Sequence, residues 1–345
     1  MDDTISKNTA ATIFVTGATG FVGRNLVEKL ISSGNRVRCL VRKSSRADFL
    51  KEMPAVEVFY GDLFDETLLR QCISGVSTVY HVAGCVTALT QQEMLDVNAG
   101  YTRKIAEICA EQPTPPVVVY VSSLAAAGPS AKNRPHVESD VPAPVSHYGI
   151  SKLAAENALR EYADRVPISV VRPGIVFGRY DVLFRPWLTS VKRTGIFFVP
   201  AYRSTSFSLV PVDDVIQIML AAAECGERLP ANDARTPETD QGQGIYYAAS
   251  PPPVSYLQMG KVFGKAVGRR RVITVAAGKW IFFLVCRVGL LIGKWTGKTP
   301  PLNPDKYREA MAEGWACSGE KAERQLGVPP EMPLEEALKK TAEEM

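Results

Sequence analysis

Apolar and polar positions in the first half of the chain follow two alternating periods. The runs Ala11–Thr16, Arg36–Val41, Val56–Tyr60, Thr78–Val82, Val117–Ser122 and Ile168–Arg172 are short and rich in Val, Ile and Tyr, as strands are. Between them, Phe21–Ser33 and Met94–Glu111 place apolar residues at helical spacing. Runs apolar on both faces, alternating with helices, predict an α/β fold: a doubly wound parallel sheet covered by helices on each side, with ligands bound at the carboxyl ends of the strands. After residue 175 the alternation weakens. The stretch Gly226–Gly244 is polar and rich in Pro and Gly, which predicts a surface loop. Ser250-Pro251-Pro252-Pro253-Val254 then leads into a C-terminal region with predicted helices at Tyr256–Val267, Trp280–Gly293 and 334–345.

Composition mainly excludes. With 345 residues, 46% hydrophobic and 22% charged, the chain is long enough for a sizeable core and is neither disordered nor collagen-like. Seven cysteines stand singly without a Cys-x-x-Cys pair, which predicts reduced thiols, and His81, His136 and His147 lack metal-ligand spacing, so no metal site is expected. The N-terminal residues are polar and acidic and carry no secretory pattern, which predicts a cytoplasmic location. A net charge of +4 gives no reason to expect nucleic acid as a partner.

Thr16-Gly17-Ala18-Thr19-Gly20-Phe21-Val22-Gly23 directly follows the first predicted strand and opens the first predicted helix. Glycines at this spacing permit a tight turn, let the backbone approach a pyrophosphate and let the helix pack close to the strand. A Rossmann-type dinucleotide site is therefore expected, with Gly17, Thr19, Gly20, Phe21, Val22 and Gly23 against the cofactor. The second predicted strand is followed by Arg42-Lys43-Ser44-Ser45-Arg46, with no carboxylate to take the ribose hydroxyls. Arg42 and Ser44 suit a 2′-phosphate, so NADP(H) is expected ahead of NAD(H); the alternative is that Arg42 and Lys43 are solvated loop charges.

Ser123 ends the fifth predicted strand, and Tyr148-Gly149-Ile150-Ser151-Lys152 begins 25 residues later. Tyr148 and Lys152, at i and i+4, share one helix face. A phenol with an ordinary pKa near 10 needs a nearby cation to act as an acid–base group at neutral pH, and each unit of lowering corresponds to about 1.4 kcal/mol.

The glycine loop, His81-Val82-Ala83-Gly84, Ser123, Tyr148-x-x-x-Lys152 and Arg172-Pro173-Gly174-Ile175-Val176-Phe177-Gly178 together resemble the extended short-chain dehydrogenase/reductases over residues 11–225. Family-like spacing continues to Trp315 and Leu326. The resemblance implies Ser123 on the substrate oxygen, Tyr148 as general acid–base, and Lys152 orienting the cofactor ribose while lowering the Tyr148 pKa. It also implies Asp62 and Leu63 near the adenine, Ala83 and Gly84 beside the cofactor, and Pro173, Gly174 and Val176 at the nicotinamide. An NADP-binding domain of residues 1–178, rejoined by 207–225 and 245–249, is expected beside a smaller, mainly helical substrate-binding part of 179–206 and 250–345. Relatives often dimerise through helices flanking the active site, which leaves a homodimer open.

Three departures bear on the substrate. Sugar dehydratases of the family carry an acid–base carboxylate just after the strand-end Ser or Thr; here the residues are Leu124-Ala125-Ala126. Epimerases place an Arg shortly before a His-Val-x-Asp-like segment to clamp a diphosphate, whereas this chain has Phe207 and Pro211 at those places, with Arg203 as a substitute four residues away. The segments Val182–Leu188 and Gly195–Val199 offer large apolar side chains either to a substrate pocket or to the core. The expected reaction is interconversion of a secondary alcohol and a ketone on a small hydrophobic substrate, steroid-, terpenoid- or flavonoid-like, as in hydroxysteroid dehydrogenases and dihydroflavonol reductases. A nucleotide-sugar epimerase and a non-catalytic nucleotide-binding subunit are the alternatives.

Three lesser features have structural readings. Asp213 and Asp214 suit capping of a helix over Val215–Glu224, His147 suits a surface loop, and His81 suits the cofactor rim or simple hydrogen bonding. Lastly, Lys261, Lys265, Arg269, Arg270, Arg271, Lys279, Arg287, Lys294 and Lys298 fall within residues 261–298, which hold no acidic residue, so the rest of the chain is net negative. The predicted helix 280–293 is apolar with a basic stripe at Arg287, Lys294 and Lys298, and at about 21 Å it is too short to span a bilayer. Either it lies in an anionic membrane surface, making the protein peripheral at the inner face of a membrane, or it is a lid or core helix.

Overall fold

All six predicted runs become strands of one parallel sheet: β1 (Thr12–Thr16), β2 (Arg36–Val41), β3 (Val56–Tyr60), β4 (Thr78–His81), β5 (Val117–Val121) and β6 (Ile168–Pro173). A seventh strand, β10 (Ile245–Ala248), joins β6, giving the order β10-β6-β5-β4-β1-β2-β3 with every pair parallel. The computed structural model describes residues 11–200, 205–231, 242–296, 300 and 302–344, without the side chain of Lys294. The expectations placed on Arg203, on Lys298, on the Lys294 side chain, on the N-terminal residues 1–10 and on the middle of the 226–244 loop lie outside the described residues.

Both faces of the sheet are covered, as continuous apolar strands require. Phe14, Val118, Tyr120 and Val170 point to one side, where α3 (Glu66–Ile73), α5 (Tyr101–Ala110) and α7 (His147–Arg160) bury Leu69, Ile105 and Leu159 against them. Val15, Val119, Val121 and Val171 point to the other, against α1 (Phe21–Ser32), α2 (Asp48–Lys51) and α9 (Val212–Cys225). Each fully buried aliphatic chain on these interfaces contributes about 1.5–3 kcal/mol.

Two features of this region differ from the sequence pattern. Met94–Glu111 is not one helix: α4 (Gln91–Leu95) and α5 are joined by a wide π-type turn at Asp96–Gly100, which buries the Asn98 side chain. α9 begins at Val212, so Asp213 and Asp214 stand inside its first turn, where their charges match the helix dipole, and do not cap it; Asp214 instead accepts the backbone N–H of Glu331 at 3.2 Å.

The remaining elements form a second layer around their own core. β9 (Ser206–Pro211) pairs with β7 (Ile175–Phe177), β11 (Ser250–Ser255) and β13 (Gly314–Trp315), and β8 (Ile196–Val199) pairs with β12 (Ile273–Ala276). Around them stand α6 (Leu124–Ala127), α8 (Phe184–Thr194), α10 (Tyr256–Ala266), α11 (Lys279–Thr296), α12 (Pro304–Ala310) and α14 (Leu334–Glu343), whereas α13 (Glu320–Leu326) returns to the large sheet, where Ala322 and Leu326 join the core beside α9. Of the apolar residues offered to a substrate pocket, Phe184, Leu188, Phe197 and Val199 are core: Phe184 packs on Phe177 and Phe263 at ring distances of 5.7 and 5.4 Å. In the same segments Val182, Leu183 and Phe198 are exposed, so the apolar side chains divide between core and surface.

Candidate active site

The large sheet reverses its winding between β1 and β4, the switch point at whose carboxyl edge ligands bind in sheets of this kind. The glycine loop sits at this point. Gly17 has φ +74° and lies so close to the β4 exit that a Cβ would stand 2.7 Å from the Ala83 nitrogen; at Gly23 a Cβ would stand 2.1 Å from the Gly17 carbonyl oxygen. Thr16 fastens the crossing, its hydroxyl accepting the Ala83 N–H at 3.2 Å. Gly20 is the N-cap of α1 and offers no side chain to the first turn, so Thr19, Phe21 and Val22 flank a helix start whose N–H groups receive no side-chain cap. A group carrying a pyrophosphate fits this cradle.

The other residues expected to hold the cofactor lie along the same edge. Arg42 and Ser44 are exposed just beyond β2. Asp62 and Leu63 follow β3, where one Asp62 oxygen accepts both the Phe64 N–H (2.9 Å) and the Tyr101 hydroxyl (3.0 Å). Gly84 leaves room at the centre: a Cβ there would stand 3.3 Å from Asn98 Oδ1 and 3.4 Å from Lys152 Nζ. Pro173 closes β6, Gly174 packs on the Ser208 carbonyl, and Val176 lies in β7.

Ser123, Tyr148 and Lys152 converge beside Gly84. Ser123 caps α6, its hydroxyl accepting the Ala125 N–H at 3.1 Å. Burial pushes the Tyr148 pKa up to about 12, against the downward pull of the Ser123 hydroxyl nearby. Lys152 is buried; its Nζ donates to the Val121 carbonyl at 2.7 Å and lies 4.5 Å from the centre of the Tyr120 ring. Burial lowers its pKa to about 7, and only the nearby Glu156 charge opposes this. Burial thus holds both Tyr148 and Lys152 towards their neutral forms.

Three supports were not evident from sequence spacing. Asn98 takes both backbone groups of Cys85 (2.7 and 2.9 Å) and donates to Ser151 Oγ at 2.8 Å, tying the β4 exit to α7. One turn beyond Lys152, Glu156 is fully buried and bound by Arg172 through Nη2–Oε2 at 2.6 Å and Nε–Oε1 at 2.9 Å, with Ser122 Oγ at 2.5 Å. Burial alone would raise the Glu156 pKa, but Arg172 and Ser122 hold it below the ordinary carboxylate range. Third, Asp305 from α12 accepts the N–H groups of His147 and Tyr148 at 2.6 and 3.2 Å, and Lys306 Nζ stands 5.6 Å from the Tyr148 ring centre. His147 is therefore the first residue of α7, with Arg308 3.3 Å from its Nε2, and not part of a surface loop. His81 is buried between the hydroxyls of Thr16 (2.7 Å) and Thr102 (2.8 Å), and burial lowers its pKa to about 3.

A family model described as the NAD dependent epimerase/dehydratase family matches residues 13–234. Sterol demethylase protein B of Methylococcus capsulatus is 34% identical over 226 residues, 63% of this chain and 67% of that protein. A Synechocystis protein with a provisional dihydroflavonol 4-reductase name is 34% identical over 220 residues, 62% of this chain and 63% of that protein. Among solved structures, a variant of the Bacillus cereus UDP-glucuronic acid 4-epimerase in complex with a fluorinated UDP-sugar and NAD superposes with a TM-score of 0.73 at 17% identity, covering 96% of this chain and 98% of that one. At that identity the likeness is one of fold.

Proposed function

The chain belongs to the NAD dependent epimerase/dehydratase family and is an oxidoreductase of its extended short-chain dehydrogenase/reductase branch, and on that premise we propose that it interconverts a secondary alcohol and a ketone on a hydrophobic, steroid-, terpenoid- or flavonoid-like substrate with NADP(H). The observation that carries this reading is the surroundings of Tyr148. Immediately after Ser123, the buried Leu124 and Ala125 supply no carboxylate and belong to the apolar cluster on which Tyr148 packs. An elimination or decarboxylation that needs a second acid–base carboxylate from this turn lacks one. Phe207, at the place of a diphosphate-clamping cation, is buried with its ring 4.4 Å from that of Tyr256.

The glycine loop, Arg42, Ser44, Asp62, Gly84 and Pro173–Val176 would hold the dinucleotide, whose nicotinamide supplies or takes up hydride at the substrate carbon. Ser123 and Tyr148 bind the substrate oxygen by two hydrogen bonds. In the reducing direction Tyr148 Oη gives that oxygen its proton, and the Lys152 ammonium stabilises the phenolate left behind. Bringing the Tyr148 pKa from about 12 to neutrality is worth about 7 kcal/mol, at about 1.4 kcal/mol per unit. Lys152, one turn along the same helix face, is the cation available to contribute to that lowering once it is charged. The preference for NADP(H) rests on Arg42 and Ser44 beyond β2 and on the absence of a carboxylate there; side-by-side affinities for NADPH and NADH test it, and tighter NADH binding overturns it.

A panel of steroid, terpenoid and flavonoid ketones assayed by NADPH consumption tests the substrate class. Turnover of UDP-sugars without net cofactor change, together with inactivity on the hydrophobic ketones, reverses the assignment in favour of an epimerase. Tyr148→Phe addresses the non-catalytic alternative: hydride transfer is lost while cofactor affinity stays near the parent value.

A further inference from the structure

Helix α11 presents an apolar face that nothing in the described fold covers. Phe282 and Cys286 turn inward, with Gly289 packed close to the Leu302 carbonyl, while Trp280, Ile281, Leu284, Leu291, Ile292 and Trp295 form an outward stripe at spacings of three, four and seven residues. The two tryptophans at its ends are 83% and 89% exposed, about 22 Å apart along the helix axis. Arg287 stands exposed at the rim of this stripe, its guanidinium 6.0 Å from the Phe283 ring centre. An exposed apolar stripe of this length on a surface helix marks a contact site.

We propose that this face docks in the plane of an anionic lipid bilayer. Charge selects the bilayer over a second copy of the chain: the segment 261–298 carries nine basic and no acidic residues. Among these, Lys265 is paired with Glu335. A two-fold contact through α11 would set two such segments against each other, whereas anionic headgroups neutralise them. Tryptophans at both ends of an apolar stripe flanked by cations match the layering of the lipid interface. No helix among the described residues is long and apolar enough to cross a membrane, so the contact is one of lying in the surface. The docked helix is one layer from the chemistry: Phe282 and Phe283 pack on Tyr307 of α12 at ring distances of 6.0 and 5.3 Å, and α12 binds the first turn of α7 through Asp305. The inference does not depend on the substrate class proposed above.

The test is co-sedimentation of the full chain with vesicles of phosphatidylcholine alone and of phosphatidylcholine with phosphatidylserine, at low and high salt, with light scattering of the free protein. The expected result is binding to the anionic vesicles, weakened by salt and reduced at least about tenfold in Leu284→Glu/Leu291→Glu, whose outward positions leave the melting transition unchanged. Tyr148→Phe binds vesicles like the parent, so loss of catalysis and loss of docking are read separately. Absence of binding at low salt, equal binding to both vesicle types, or a vesicle-independent dimer that the double substitution dissociates would each overturn the proposal.

Discussion

Removing Arg172 isolates the contribution of the buried pair beneath Lys152. In Arg172→Met, Glu156 loses its two-bond partner and keeps Ser122 and the weaker pull of the Arg160 charge, while remaining fully buried one turn below Lys152. Breaking a buried ion pair from one side costs about 3–5 kcal/mol, and at about 2–4 °C per kcal/mol for a domain of this size the melting temperature falls by roughly 6–20 °C. The effect depends on pH in a defined direction. In the parent, Arg172 and Ser122 overcome burial and hold the Glu156 pKa low, so its stabilisation is present above the unfolded value near 4.3 and is lost as pH falls through the lower folded value. In the variant, burial raises the folded pKa above about 4.3, so lowering the pH from 8 towards 5 lets the carboxyl take up a proton in the folded state and narrows the gap to the parent. Arg172→Met/Glu156→Gln removes the stranded charge and recovers most of the loss. Differential scanning calorimetry at both pH values measures all three. A single variant melting within about 2 °C of the parent at pH 8, or a double variant no more stable than the single one, refutes the reasoning.

Two further outcomes follow from the site. With its pKa lowered to about 7 by burial, Lys152 is largely neutral at pH 8 in the free protein; if it must be charged to serve Tyr148, cofactor binding takes up as much as about one proton at that pH and less at pH 6. Calorimetric titrations in buffers of different ionisation enthalpy measure this uptake, and its persistence in Lys152→Met would assign it elsewhere. Gly23→Ala introduces a Cβ 2.1 Å from the Gly17 carbonyl oxygen, so the loop must open; cofactor affinity falls at least about tenfold with circular dichroism unchanged, and undiminished affinity would show that the loop does not bind the dinucleotide.

Local pattern was enough for the large sheet. Val117–Val121 and its neighbours are strands in any register that buries both faces, so their period survives every tertiary choice. The i,i+4 spacing of Tyr148 and Lys152 likewise needs only a helix. Less legible were features made by partners distant in sequence. Glu156 continues the same helical face, but its burial as an ion depends on Arg172 arriving on β6, and the fastening of Tyr148 depends on Asp305, 157 residues further on. The π-type turn that carries Asn98 lies within an apolar period that reads as unbroken helix. Phe184 and Phe197 illustrate the converse: apolar residues in a variable segment fit a pocket or a core equally well until α10 is seen to fill the space between them.

The Asp305 contact also orders events during synthesis. β1 to β6, the glycine loop, Ser123 and Lys152 have all left the ribosome well before α12 is made, yet the first-turn N–H groups of His147 and Tyr148 wait for the Asp305 carboxylate. A growing chain therefore holds most of the residues of the glycine-loop cradle before Tyr148 is fastened, and completion of α12 is the step that couples the two.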